Sequence, residues 1–222
     1  MSACFFIYQI PNAMKKLLTT LLCAMLTLGA FAQTEETSNE QQPIAEENVD
    51  IKHLTFKGIP IDGTPTEFAR ELSSNGFSYS YEHDGVLWYK GFFAGYNGCE
   101  IAIKSFNNLV YEIVVIFPKE YSWRHLYGTY SSLKDMLTMK YGDPTSVTEE
   151  FVNTPIYMDM SDDNDRFSEV KDNHCRYYAS FTSTKDGIGS IHLEIKSSGC
   201  VGLHYTDLIN SLSKEFSAIG DL

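Results

Sequence analysis

The stretch YSWRHLYGTYSSLKDMLTMKYGDP, Tyr121–Pro144, has the strongest helical pattern in the chain. Its apolar residues recur three or four positions apart, the spacing that lines one face of an α-helix: Trp123, Leu126, Tyr130, Leu133, Leu137 and Tyr141. Ser122 can cap the first turn, and Gly142 and Pro144 end the pattern. Because the opposite side is polar, this helix must lie on an apolar surface, and the strand patterns on both sides of it predict a sheet.

A shorter helix and four strands are predicted before this stretch. Thr64–Glu67 reads TPTE, a capping box with proline at the first helical position, and Gly76 ends the helix. The strand patterns that follow cover Ser78–Tyr81, Val86–Phe93, Cys99–Lys104 and Leu109–Phe117. Gly95–Gly98 reads GYNG and predicts a tight turn between the second and third strands. These elements form an antiparallel meander.

A second meander is predicted after the long helix. Its strand patterns cover Thr145–Val152, His174–Thr184, Ser190–Lys196 and Val201–Tyr205, and the segment Asn153–Asn173 is acidic and irregular. The tail from Asp207 has a weak helical pattern. The order of helix and meander therefore occurs twice, which predicts an α+β domain over residues 51–222. It contains two pseudo-repeats, residues 51–118 and 119–206, and the wide apolar stripe of the Tyr121–Pro144 helix could contact both sheets.

The first 32 residues have the features of a secretory signal peptide. Lys15 and Lys16 precede the apolar run Leu17–Leu28, and Ala30–Ala32 has the small-x-small form that signal peptidase cleaves. Met14 is the expected natural start. The apolar run is too short to span a bilayer, so we expect an exported protein, periplasmic or secreted, with no membrane insertion after cleavage. Residues 33–50 carry six acidic residues and no basic one, and predict a disordered linker.

The formal net charge is −12, and removal of the two signal-peptide lysines makes the rest more acidic still. Nucleic acids and anionic membrane surfaces are bound by basic patches, so this balance argues against both as partners.

Three short stretches carry a resemblance to a family. They are FKGIPIDG at Phe56–Gly63, KYGDP at Lys140–Pro144 and GCVGLHYTD at Gly199–Asp207. They resemble stretches of small exported proteins of Bacteroidetes, and the doubled order of helix and meander is similar to the architecture of β-lactamase inhibitor proteins. This resemblance implies a concave sheet face and hairpin tips that bind another protein.

The residues that we expect to bind a partner lie on the aromatic hairpin: Trp88, Tyr89, Phe93, Tyr96 and Asn97. Alternation places Trp88 on one face of its strand and Tyr89 and Phe93 on the other, while Tyr96 and Asn97 are expected at the turn. Exposed aromatic side chains at such positions suit protein contacts. The alternative is that the second meander covers this face and that the aromatic residues are core.

Two sets of residues are weaker candidates for metal binding. Asp159, Ser161, Asp163 and Asp165 place oxygen atoms at alternate positions, as Ca²⁺ requires, but a glycine at the sixth position and a glutamate at the twelfth are missing. His192, His204 and Glu194 lie on neighbouring strands and could form a two-His, one-carboxylate set. A solvated loop and ordinary polar positions of a sheet explain both patterns without a metal, and we expect no cofactor.

Three cysteines remain after signal cleavage. Cys175 and Cys200 begin two predicted strands and could form a disulfide at one end of a sheet, leaving Cys99 as a buried apolar residue. The sequence has neither a Gly-x-Ser-x-Gly elbow nor a phosphate-binding glycine loop. We therefore expect a protein-binding module without catalytic activity. The alternative is a periplasmic protein that binds a small molecule or calcium, with or without hydrolytic activity.

Overall fold

The computed structural model describes residues 52–220 of the chain. The predicted signal peptide, residues 1–32, and the predicted linker, residues 33–50, lie outside the described residues. Within residues 52–220 the fold is α+β, as predicted, with four helices and a large antiparallel sheet.

The helices are α1 (Pro65–Ser74), α2 (Trp123–Tyr141), α3 (Asp163–Lys171) and α4 (Leu208–Gly220). A short hairpin is formed by β1 (Thr55–Phe56) and β2 (Ile59–Pro60). The large sheet contains β3 (Ser78–His83), β4 (Val86–Phe93), β5 (Tyr96–Phe106), β6 (Leu109–Ile116), β7 (Ser146–Phe151), β8 (Cys175–Ser183), β9 (Gly189–Lys196) and β10 (Cys200–Asp207).

The eight strands form one continuous sheet in the order β3-β4-β5-β6-β10-β9-β8-β7, and every neighbouring pair is antiparallel. Strands β3 to β6 form one meander and β7 to β10 form the other. The last strands of the two meanders pair with each other, with Glu112–Ile116 of β6 alongside Gly202–Thr206 of β10. The sequence predicted two meanders, and the structure joins them into a single sheet at this β6–β10 junction.

The two faces of the sheet differ in what covers them. On one face, which we name the helix face, alternate strand residues such as Ile101, Ile113, Leu193 and Leu203 are buried in a single core. Helices α1, α2 and α3 contribute buried side chains to that core. The other alternate residues point to the second face, which we name the polar face.

Helices α1 and α2 begin and end where the sequence places their caps. The Thr64 side chain accepts from the backbone of Glu67, and the Glu67 carboxylate accepts from the backbone of Thr64. Ser122 Oγ accepts from His125 N at 3.3 Å, and Gly142 follows the last turn of α2 with φ of +86°. Local side-chain chemistry therefore sets these boundaries.

Helix α2 packs on one half of the sheet rather than on both. Its main contacts are with β8, β9 and β10 and with α3, so the expectation that it would bridge two sheets is wrong. Leu126, Tyr130 and Leu133 are buried as predicted, whereas Tyr127 and Met136 lie at the edge of the buried stripe and are 38% and 40% exposed. The first meander is covered instead by α1, which packs on β5 and β6, and by α4, which packs on β6.

The segment Asn153–Asn173, which was predicted to be irregular, contains helix α3. Asp162 caps this helix, because its Oδ1 accepts from the backbone of Asn164 at 2.8 Å and of Asp165 at 3.1 Å. Phe167 and Val170 are buried against the core. Two apolar residues in nine are too few to give a readable helical period, so the acidic composition concealed the helix.

Asp207 fixes the two ends of the described chain to each other. Its carboxylate is fully buried and accepts from Leu54 N at 2.7 Å and from Asn210 N, in the first turn of α4, at 2.8 Å. His53 Nδ1 lies 3.2 Å from the same carboxylate. Asn210 is also buried and donates to the backbone oxygens of Ile61 and Val110. The start of the domain, β6 and the start of α4 are therefore held at one place.

Gly187 allows the first residues of the domain to reach Asp207. Its φ is +98°, and a Cβ there would lie only 1.9 Å from the backbone oxygen of His53. The segment that precedes β1 thus crosses the turn between β8 and β9 in direct backbone contact, including a bridge from His53 to Ile188. Only glycine combines this conformation with this approach.

We expect Asp207→Ala to lower the free energy of unfolding by about 2 kcal/mol, because it removes a helix cap and leaves the buried Leu54 N–H without an acceptor. Urea unfolding followed by circular dichroism measures the change. Glu71→Ala on the exposed side of α1 is the matched control, and it should change stability little. Equal stabilities of the two variants would contradict the role of Asp207.

Candidate interaction surface on the polar face

The polar face is built from strand positions that alternate with the core. A row of directly paired residues crosses its centre from β4 to β9: Trp88, Ala102, Val114, His204 and His192. Ala102 and Val114 are almost completely buried although they belong to this face. Longer side chains on neighbouring strands therefore cover the middle of the row.

Charged side chains alternate in sign across the middle of this face. Lys104 Nζ donates to Glu112 at 2.8 Å, Glu112 accepts from His204 Nδ1 at 2.7 Å, and His204 Nε2 lies 3.2 Å from Glu194. Lys196 Nζ donates to the same Glu194 carboxylate. We name these five residues the charged ladder. They belong to β5, β6, β10 and β9, so the ladder crosses the β6–β10 junction.

The imidazolium form of His204 suits its position between two carboxylates. Burial by itself would lower the pKa of His204, but the hydrogen bonds to Glu112 and Glu194 outweigh burial and raise it. The hydrogen bond from His204 is also the main reason why the pKa of Glu194 falls to about 2. Burial would raise the pKa of Glu112, yet hydrogen bonds from His204 and Lys104 lower it. The ladder is therefore stabilised in its charged state.

His192 lies beside the ladder in a different environment. Burial lowers the pKa of its ring, which favours the neutral form. Its Nδ1 is 2.9 Å from Ser180 Oγ, and its ring centroid is 6.1 Å from that of His204. The structure thus brings His192, His204 and Glu194 together, as predicted, and adds Glu112. A metal role is a separate matter: among residues 52–220, no group of three or more His, Cys, Asp or Glu side chains is placed to hold a metal ion.

An aromatic pair stands at the β3–β4 side of the polar face. The rings of Tyr81 and Trp88 are stacked, with centroids 5.5 Å apart and planes 13° apart. Tyr81 is 41% exposed and Trp88 is half-buried. Phe92, farther along β4, is 56% exposed. We name Tyr81 and Trp88 the aromatic anchor. Alternation in the sequence identified Trp88, but nothing local indicated that Tyr81 would stack on it.

The remaining residues predicted for the aromatic hairpin lie elsewhere. Tyr89 is only 7% exposed on the helix face, and Phe93 stacks on Phe56 in the core at 5.2 Å. Tyr96 begins β5 and packs edge-on against Phe117 at 5.2 Å, so the expectation of an exposed aromatic residue at the turn is wrong. Asn97 is exposed but belongs to β5 rather than to a turn.

The turn itself lies two residues earlier than predicted. Ala94 and Gly95 form it, with φ of +49° and +92°. Two consecutive residues with positive φ are typical of the tight hairpin turn that matches strand twist. The Asn-Gly pair that suggested a turn at Gly95–Gly98 is instead part of the following strand.

The cysteines do not form the predicted disulfide. Cys99, Cys175 and Cys200 are free and buried. Cys175 belongs to β8 and Cys200 to β10, and β9 lies between these strands. Two strands that flank a third are roughly 9–10 Å apart, which is beyond the reach of a disulfide. Burial raises the pKa of Cys99 to about 11 and that of Cys175 to about 12, so both thiols stay protonated and unreactive at neutral pH.

The acidic candidates for calcium use their oxygen atoms within the loop and the start of α3. Asp159 Oδ1 accepts from the backbone and the hydroxyl of Ser161, at 2.9 and 2.7 Å. Asp165 accepts from Asp159 N at 2.8 Å, and Asp163 accepts from Arg124 N at 2.7 Å. These carboxylates therefore act as loop and helix caps. Asp163 in addition ties α3 to the start of α2.

A half-open cavity of about 380 Å³ lies where β8 and β9 reach the end of the sheet. Arg176, Tyr178, Glu194 and Lys196 of the polar face line it, together with Ser197 and Ser198 of the following turn. The cavity thus shares two residues, Glu194 and Lys196, with the charged ladder.

No protein-family model, curated protein or solved structure matches this chain. In addition, none of the helices within residues 52–220 combines the length and apolar character needed to cross a bilayer.

We expect the stabilisation by the ladder to depend on pH. His204→Gln should lower the free energy of unfolding by about 1–2 kcal/mol where the carboxylates and the imidazolium are all charged. That range lies between the ordinary glutamate pKa of 4.5 and the ordinary histidine pKa of 6.5. Because folding raises the pKa of His204, its contribution to the free energy of unfolding is lost as the pH rises through the pKa of the folded state. Because folding lowers the pKa of Glu112 and of Glu194, the contributions of these two carboxylates to stability are lost as the pH falls through their folded-state pKa values.

Urea unfolding of wild type and variant across this range of pH measures the difference. His83→Gln is the matched control, since the His83 side chain is 74% exposed on β3. A difference between wild type and His204→Gln that is the same at every pH would contradict a charged ladder.

Proposed function

We propose that this protein is an exported protein-binding module, and that its partner docks on the polar face at the aromatic anchor. The observation that carries the proposal is the stacked pair of Tyr81 and Trp88, which lies outside the core on the paired strands β3 and β4. Large aromatic side chains fixed in advance on a rigid support lose little entropy on binding, and such residues dominate the energy of many protein interfaces.

The charge distribution supports a protein as the partner. The polar face carries basic and acidic side chains in nearly equal number: Lys90, Lys104, Arg176, Lys196 and His204 against Glu100, Glu112, Glu150 and Glu194. The whole chain has a net charge of −12, so the excess of acidic residues lies outside this face. A surface of mixed, paired charges beside aromatic residues suits the polar rim and apolar centre of a protein interface.

The order of elements supports a more specific proposal about architecture. Helix α1 precedes β3–β6 and helix α2 precedes β7–β10, and the last strand of each set lies at the middle of the sheet. We propose that these are two pseudo-repeats arranged as in β-lactamase inhibitor proteins. In such an arrangement the face without helices is the surface available to a partner.

The proposed location in the periplasm or outside the cell depends on residues 1–32. Support for it comes from the lysine pair, the short apolar run and the small-x-small cleavage site of that segment. Contact through the Tyr96 hairpin is not part of the proposal, because Tyr96 packs on Phe117.

The aromatic anchor can be tested by affinity capture followed by reconstitution. The chain is immobilised and exposed to the envelope fraction of its source cell, and the captured protein is identified, purified and titrated against wild type. Trp88→Ala combined with Tyr81→Ser should weaken the affinity at least tenfold, since central aromatic contacts contribute about 2 kcal/mol or more.

Tyr121→Ser is the matched control, because Tyr121 is 78% exposed and lies just before α2. This control should bind like wild type. Melting temperatures establish that each variant is folded. Unchanged affinity of the folded double variant would overturn the proposal, and so would an equal loss in Tyr121→Ser.

A further inference from the structure

The cavity between β8 and β9 has an arrangement of donors that the protein-binding proposal does not use. Arg176 and Lys196 both line it. Tyr178 of β8 pairs with Glu194 of β9, and continuing this antiparallel register by two residues places Arg176 opposite Lys196. Like charges in directly opposed positions of a sheet repel each other. Two basic residues thus line one cavity in a chain whose net charge is −12.

Arg176 is held in place by the backbone rather than by an acidic side chain. Its Nη1 donates to the backbone oxygen of Asn173 at 2.9 Å and to that of Cys175 at 3.2 Å. Within the described residues only Nη1 donates hydrogen bonds, so the N–H groups of Nη2 and Nε remain available to a ligand. Glu150 lies opposite Arg176 on β7 but forms no ion pair with it in the described part of the chain. The guanidinium is therefore oriented by backbone oxygens, and within the described residues no carboxylate forms an ion pair with it.

Lys196 is fixed by a close approach to β10. A Cβ on Gly202 would lie 3.3 Å from Lys196 Cδ and Cε, so the lysine side chain lies flat across this glycine. Its Nζ donates to Glu194 Oε1, the same atom that His204 contacts at 3.2 Å. One carboxylate oxygen is thus shared by two cationic groups. The positive charge around the cavity exceeds the negative charge of its single carboxylate.

The rim of the cavity adds neutral donors. Ser197, Ser198, Tyr178 and Asn173 also line it, and all four have side chains that can donate hydrogen bonds. A volume of about 380 Å³ is within the range of small-ligand sites, and the cavity is half-open to solvent. An oriented guanidinium with hydroxyl and amide donors is the donor set that recognises carboxylate and phosphate groups.

We infer that this cavity is a binding site for the oxyanion group, a carboxylate or a phosphate, of a small molecule, with Arg176 as the main contact and Lys196 as the second. The oxyanion separates the two cations and accepts from Nη2 and Nε of Arg176. The Ser197 and Ser198 hydroxyls then donate to its remaining oxygens. This site is independent of the aromatic anchor, which stands at the other side of the sheet, on β3 and β4.

Binding is tested by NMR titration of the ¹⁵N-labelled chain with succinate and, separately, with inorganic phosphate. Sodium chloride at matched ionic strength is the reference in both titrations, because it reproduces screening without a planar or tetrahedral oxyanion. The backbone amides of Asn173, Ser197 and Ser198 should shift in a saturable manner with one or both oxyanions. Saturation with succinate alone identifies a carboxylate site, and saturation with phosphate alone identifies a phosphate site.

Arg176→Gln should weaken the preferred oxyanion about tenfold or more, because it removes charged donors to the ligand. Lys196→Gln should weaken it less. Lys90→Gln is the matched control, since Lys90 is a half-exposed cation of the polar face that pairs with Glu100 on distant strands. It should bind like wild type.

If Arg176→Gln fails to fold, the wild-type titration and Lys196→Gln decide the matter. Shifts that chloride reproduces, shifts spread over surface amides without saturation, or equal affinity in folded Arg176→Gln and Lys90→Gln would each overturn the inference.

Discussion

The pairing of β6 with β10 is the constraint on which the rest of the structure depends. Five residue pairs, Glu112–Ile116 with Gly202–Thr206, join two four-stranded meanders into one sheet. Without them each meander would leave one backbone edge of its last, largely buried strand unpaired, which proteins avoid. The same register sets the polar face, because it places His204 beside Glu112, a residue 92 positions earlier. The charged ladder is therefore a consequence of the junction.

Local chemistry explains why the fold class and most elements could be predicted. The capping box of Thr64 and Glu67 and the Ser122 and Gly142 caps act within a few residues, and strand alternation has a period of two. The junction is different. Nothing within Leu109–Phe117 specifies its partner, although its apolar character on both faces indicated an interior strand. For the same reason the role of Asp207 could not be predicted from the weak helical pattern that it begins. Its contact with Leu54, which is 153 residues earlier, forms only in the folded chain.

The candidate site was predictable in part. Alternation correctly separated Trp88 from Tyr89 and Phe93, yet it gives no information on which face the helices will cover. His192, His204 and Glu194 were grouped because their strands are consecutive. Glu112 belongs to the other meander and was therefore missed. The cavity brings together Arg176 of β8 and Lys196 of β9 because of the register in which these two strands pair. Register is a property of the pair of strands and cannot be read from either strand alone.

Under the proposed function, the charged ladder serves recognition as well as stability. Its two ends are partly exposed, with Lys104 and Lys196 about one-third accessible, and ion pairs with such exposure contribute little to folding. His204 and Glu112 at its centre are 19% and 13% exposed and contribute more. Apolar residues at these positions would bury more area, but they would also extend the aromatic anchor into a broad adhesive surface. In that function, paired charges limit the apolar area of the sheet and fix where a partner places its own charges. The exposed aromatic side chains of the polar face thus stand at its β3–β4 side, where Tyr81, Trp88 and Phe92 lie, and Arg176 stands at the other side without an ion pair among the described residues.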